Sequence, residues 1–159
     1  MKNKEKIFEI SAVLLMIDQV LKIIVNHYME LNEEIRIIPN FFSLLYVKNT
    51  GAAFSILNNN TSLLIILSVV FILVLDRYIK KEQNNFDKLS IISLGMILGG
   101  IFGNLIDRII HHGVIDYLSF IIFKYDFPIF NFADICITLG VLLLIIDMFK
   151  NKSLGDKNE

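Results

Sequence analysis

Apolar residues gather into four long runs along the chain, and the lengths of those runs set the first expectation. A hydrocarbon core of ~30 Å takes roughly 20 helical residues to cross. The segments 7–26, 61–79, 89–110 and 132–149 meet that length. The pattern therefore predicts an all-α membrane bundle of four transmembrane helices. The second run carries no charge between 63 and 75 and reads as a packing or lipid-facing wall. The first follows a basic start and is interrupted by Asp18, Gln19 and Lys22, with no small-residue cleavage site after it. It is read as a retained helix rather than a removed signal peptide. The polar tail at 150–159 is expected to fray.

Between the runs lie two longer connections, 28–60 and 111–131. The first shows short strand patterns at 35–38, 41–47 and 53–57, with Pro39-Asn40 and Asn49-Thr50-Gly51 turning between them. No strand is assigned to 111–131. Unpaired backbone cannot sit in lipid, so a small extracytoplasmic β element is expected at the membrane surface. Lys and Arg concentrate on one side: Lys2, Lys4 and Lys6, then Arg77, Lys80, Lys81 and Lys88, then Lys150, Lys152 and Lys157. Arg36, Lys48 and Lys124 fall on the other. That asymmetry puts both termini in the cytoplasm.

Composition agrees. The 159 residues suit one domain, 1–159, and 55% of them are hydrophobic, with mean hydropathy +0.62. A soluble domain of this size rarely carries so much apolar mass. The formal net charge of -1 and the absence of a basic stripe argue against nucleic-acid binding. Cys136 is the single cysteine. It cannot form an internal disulfide, and it reads as a small core residue.

Charges inside a membrane are costly and are functional candidates. Asp18 and Lys22, four residues apart, share a helix face. They are as readily a self-neutralising pair as a functional one. On the third helix, Gly95, Gly99, Gly103 and Asp107 form one row, and Gly100, Asn104 and Arg108 the adjacent one. The glycines read chiefly as a close-packing seam, which leaves the polar residues on the same face unexplained. Arg108 could hydrogen-bond a carboxylate or the extracytoplasmic backbone. If Leu98, off those rows, faces lipid, truncating it should be milder than Gly103→Leu. Asn131 and Asp134 have the spacing of a helix-capping box, and Asp116 alone could be an ordinary loop carboxylate. Two carboxylates brought to one water can divide general-base and general-acid work in amide hydrolysis. Asn49-Thr50-Gly51 reads as a turn, or as a place where small residues admit a substrate backbone. His111 and His112 lack a metal-binding motif, so no metal or other cofactor is expected. Glu9, Asp76 and Asp147 are expected to be solvated at the cytoplasmic helix ends.

Together these blocks resemble the lipoprotein signal peptidase (signal peptidase II) family. They are Asp18-Gln19-x-x-Lys22, Asn49-x-Gly51-Ala52-Ala53-Phe54, Gly99-Gly100-x-x-Gly103-Asn104-x-x-Asp107-Arg108, Val114-x-Asp116-Tyr117 and Phe130-Asn131-x-Ala133-Asp134. The resemblance implies an intramembrane aspartic endopeptidase of the bacterial cell membrane. Such an enzyme removes signal peptides from diacylglyceryl-modified prolipoproteins, cutting just before the lipidated cysteine. It implies Asp116 and Asp134 as catalytic residues and Asn49, Asn104, Arg108 and Asn131 as lining the site. Asp18, Lys22, Gly100 and Asp107 are implied as supporting positions. Membrane lipids and globomycin-type inhibitors are the other implied partners, and a monomer is expected. A small transporter or proton-relay subunit is the alternative, disfavoured because the polar groups gather at one interface rather than at the midplane.

Overall fold

A computed structural model describes residues 3–51, 60–82 and 84–155; the strand expected at 53–57 lies outside them. Four helices form: α1 (Asn3–Tyr28), α2 (Thr61–Glu82), α3 (Lys88–His111) and α4 (Phe132–Gly155). Each covers its expected run and extends beyond it at one or both ends. Three are long and apolar enough to cross a membrane: Thr61–Glu82, Lys88–His111 and Phe132–Lys150. The first helix has the length but holds Glu9, Asp18 and Lys22 within its apolar stretch.

The central helix is α3. Gly95 and Gly99 let α1 approach: a Cβ at Gly99 would lie 2.9 Å from Ser11 O, and one at Gly95 would lie 2.7 Å from Ile10 Cγ2. Gly103 faces the Asp18 carboxylate, and Gly100 faces the Ala133 carbonyl of α4. From α4, Gly140 returns the contact against Ser93 and Ile97. Thus the glycine rows seat two helices, one on each side of α3. Leu98 is 1% exposed and packs with Ile7, Ile79, Phe86, Ile91 and Leu94, so the condition for a mild Leu98→Ala is not met. Helix α2 buries Leu64 and Ile79 among its residues and turns most of its surface outward, as a lipid-facing wall does.

The connections at one end of the bundle build a four-stranded sheet, order β1-β2-β3-β4. Strands β1 (Glu34–Ile38) and β2 (Phe42–Asn49) form the hairpin expected around Pro39-Asn40. Strands β3 (Val114–Ile122) and β4 (Tyr125–Asp126) arise from the segment to which no strand was assigned. The β2–β3 pairing is antiparallel and sets Val47 opposite Asp116 and Asn49 opposite Val114. Below the sheet, Val25, Met29, Tyr46, Ile115 and Tyr117 form a second apolar cluster. At the opposite end, Asp147 is 3% exposed and accepts a hydrogen bond from Ser90 Oγ at 2.5 Å. It is not the solvated residue expected, because the N-terminus of α3 packs over it. Glu9 is exposed, while Asp76 pairs with Lys80 at 2.5 Å.

Candidate active site

The site begins with a buried cation. Lys22 is 2% exposed and lies 2.9 Å from Asp18 and 3.0 Å from Asp107. The expected helix-face pair is therefore a triad that joins α1 to α3. Each aspartate has a second task. Asp18 Oδ1 accepts from the Ala133 backbone N–H at 3.0 Å, in the first turn of α4, where a negative charge complements the helix dipole. Asp107 Oδ2 accepts from the Ile115 N–H at 3.0 Å, fixing the start of β3. Gln19 bridges them, donating to Asp107 Oδ1 at 3.1 Å and to Asp18 Oδ2 at 3.3 Å.

Lys22 also donates to Asn104 Oδ1 at 3.0 Å. An ammonium has donors only, so it fixes which end of the Asn104 amide faces it. The NH₂ end must point the other way, and it donates to Asp134 Oδ1 at 2.8 Å. Asn131, fully buried, is held likewise. Its Oδ1 accepts from the Asp134 N–H at 3.0 Å, while Asp134 Oδ2 accepts from the Asn131 N–H at 3.1 Å. This is the capping box expected at the start of α4. The Nδ2 of Asn131 then reaches Asp116 Oδ1 at 2.6 Å and Asn104 Oδ1 at 3.2 Å. The remaining Asp116 oxygen accepts from Asn49 Nδ2 at 2.9 Å, and Asn49 Oδ1 is fixed in turn by the Gly51 N–H at 3.0 Å.

Both carboxylates thus have each oxygen anchored by one donor, and Asn131 touches both of them. They open on one cavity of about 980 Å³, lined also by Asn49, Gly51, Asn104 and Arg108. That volume lies at the upper end of the range for small-molecule sites. Asp116 is 2% exposed, and burial raises its pKa to about 7; the Asp134 charge pushes the same way, against the hydrogen bonds from Asn49 and Asn131. A carboxyl in this state can hold a proton near neutral pH.

The fold brings the residues expected at the site together, but Asn131, expected to line it, is fully buried and stands behind the cavity wall. Asp18, Lys22, Gly100 and Asp107 lie behind the cavity, as supports between helices. Arg108 departs from expectation. Its Nη1 donates to the Asn104 carbonyl within its own helix at 3.3 Å, rather than to a carboxylate or the sheet backbone. Sequence reasoning passed over Thr138, one helical turn beyond Asp134, and the 127–129 segment, both of which wall the cavity. The four-residue spacing could have flagged Thr138; nothing local marks 127–129.

Apolar helices seated on glycine seams, with one buried and one half-buried carboxyl group on a single cavity beneath a surface sheet, define a membrane-embedded protein with a paired-carboxyl site. The comparisons name its family. The family model described as signal peptidase (SPase) II matches residues 10–150, and the chain belongs to that family. A lipoprotein signal peptidase of Maridesulfovibrio salexigens is 40% identical over 148 residues, covering 90% of this chain and 94% of the relative. One of Symbiobacterium thermophilum is 41% identical over 139 residues, covering 87% and 91%. Two solved bacterial membrane enzyme structures, each 33% identical, superpose with TM-scores of 0.83 and 0.79. The first covers 92% of this chain and 89% of its own, the second 91% and 92%.

Proposed function

We propose that this protein removes signal peptides from diacylglyceryl-modified prolipoproteins, cutting just before the lipidated cysteine, with Asp116 and Asp134 as the catalytic pair. The observation that carries the reading is the convergence of these two carboxyl groups, from β3 and from the first turn of α4, on one cavity. Asp134 sits where a helix N-terminus favours an anion and acts as the base. Asp116 starts protonated. Asp134 takes a proton from water as its oxygen attacks the scissile carbonyl. Asp116 gives its proton to the departing amide nitrogen as the C–N bond breaks. The proton held on Asp134 then passes to Asp116, and the pair is restored. No metal or other cofactor takes part. Asn49, Asn104 and Asn131 hold the pair in place, and the Arg108 guanidinium supplies positive charge facing both carboxylates.

The cavity wall contributed by α4 includes Leu139, which is 46% exposed. This suits a substrate arriving sideways from lipid, because each acyl CH₂ left in the bilayer is worth ~0.8 kcal/mol. Helix α1 serves as the fourth span. Its two inner charges, Asp18 and Lys22, are buried and paired, whereas Val13, Met16, Val20, Ile23 and Ile24 face outward. The Lys and Arg asymmetry sets both termini in the cytoplasm and the cavity near the outer face of the bacterial membrane. The working unit is a monomer in contact with membrane lipids, and globomycin-type peptides compete for the cavity.

The test is cleavage by the purified protein in lipid bilayers, with products sized by mass spectrometry. A diacylglyceryl-modified prolipoprotein peptide should be cut immediately before its cysteine, and the same peptide without lipid much more slowly. Equal cleavage of both, or a cut elsewhere, would contradict the substrate assignment.

A further inference from the structure

The β3–β4 hairpin is tied down at its base, where the Ile121 N–H donates to the Phe41 carbonyl at 2.9 Å, and is exposed at its tip. Ile122 pairs with Tyr125 and Ile121 with Asp126, so the two pairs point to opposite faces. On both faces the side chains are exposed: Ile122 at 42% and Tyr125 at 60%, Ile121 at 36%. The turn between the strands is Phe123-Lys124, with φ of 51° and 64°. Two-residue hairpin turns of this left-handed kind favour Asn and Gly, and a bulky aromatic there is strained. Phe123 is nevertheless at the tip and 100% exposed. Nothing it touches within the protein repays that backbone cost.

We propose that the hairpin is an interfacial anchor, with Phe123 inserted at the boundary between headgroups and acyl chains of the leaflet on the sheet's side. The occupant is lipid because the hairpin stands at the end of a membrane-crossing bundle. The last turn of α3 beside β3 presents Ile109 and Ile110, 55% and 63% exposed, as lipid-facing surface. A ring at the tip with a tyrosine beside it is the composition found at membrane interfaces, and Lys124 can extend its ammonium to the headgroups. Lys124 and Asp126 carry opposite charges on the hairpin, so insertion is driven by apolar burial and needs no anionic lipid. The anchor has a consequence for the site. Strand β4 leads directly into Phe127, Pro128, Ile129 and Phe130, which wall the cavity, so the hairpin sets the height of that wall relative to the lipid surface.

The chain contains no tryptophan, so Phe123→Trp reports from one place. The full chain would be placed in nanodiscs of zwitterionic phosphatidylcholine, with and without bromine on the acyl chains. The expected result is blue-shifted emission, most of it lost with brominated lipid and little of it lost to acrylamide. Tyr125→Trp, on the flank of the hairpin, should show the same order of quenching. Red-shifted emission quenched by acrylamide and untouched by bromine would place the tip in water and overturn the proposal. Protection from both quenchers would make the occupant protein, and would overturn it equally.

Discussion

Lys22 is the residue on which the rest of the site leans. Its ammonium pairs with both Asp18 and Asp107 and dictates the orientation of the Asn104 amide that holds Asp134. Removing one partner from a buried ion pair typically costs ~3–5 kcal/mol, since the remaining charges are left uncompensated. Lys22→Met should lower unfolding stability by that order, read by thermal melting in nanodiscs. Turnover should fall as well, because the Asn104 amide is free to flip; unchanged melting would contradict the triad. Asp116 carries a pH signature. Its pKa rises from 3.8 to about 7 on folding, so the folded protein binds this proton more tightly than the unfolded chain does. Stability from this group is therefore lost as pH climbs between those values and levels off above about 7. The melting temperature of wild type should drop more between pH 5 and pH 8 than that of Asp116→Asn, which has no proton to lose. With Asp116 as the proposed general acid, turnover should also fall as pH rises past about 7, where that carboxyl ionises. At this scale the sequence supplied the identities of the charged groups. It could not supply their partners, since the residues that meet Lys22 beyond its own helix come from α3, far along the chain.

Among the elements, α3 carries the clearest instruction. Glycines at four-residue spacing announce close helix contact, and the structure places α1 and α4 against them. A side chain at position 103 would meet the Asp18 carboxylate and Ala133, so Gly103→Leu should prevent the bundle from closing, seen as loss of monodisperse folded protein. Leu98→Ala should now cost ~2–5 kcal/mol as a core truncation; a cost near zero would remove Leu98 from the core. The helices were legible because an apolar run of membrane length has few other uses. Strand β3 was not, because its apolar stretch is short and interrupted by Asp116 and Ser119, and a short apolar run does not distinguish strand from buried loop. What makes it a strand is pairing with β2, a contact no local pattern records. The α4 capping box was legible, yet the same Asp134 carboxylate also takes a bond from Asn104. Capping and the proposed chemistry are two uses of one group.

For the whole molecule, the Lys and Arg asymmetry predicts an orientation with both termini in the cytoplasm. Asn84→Cys, between α2 and α3, should resist labelling by a membrane-impermeant thiol reagent in intact cells. Asn40→Cys, in the exposed β1–β2 turn, should label. The reverse pattern would invert the topology. The five motif blocks are scattered through the chain, and the packing of α1 on α3, β2 on β3 and α3 on α4 draws their described residues to one end of the bundle. The family could be read from their order; the shared role of Asn131 in holding both carboxylates could not. Cleavage of a diacylglyceryl-modified substrate by Asp116→Asn and by Asp134→Asn, beside wild type and with and without a chelator, tests the paired mechanism most directly. Each change keeps size and removes acid–base capacity, so turnover should fall ~10²–10⁴-fold while the variants still fold and still bind the lipidated substrate. Near-normal turnover in either variant, or full inhibition of wild type by the chelator, would contradict it.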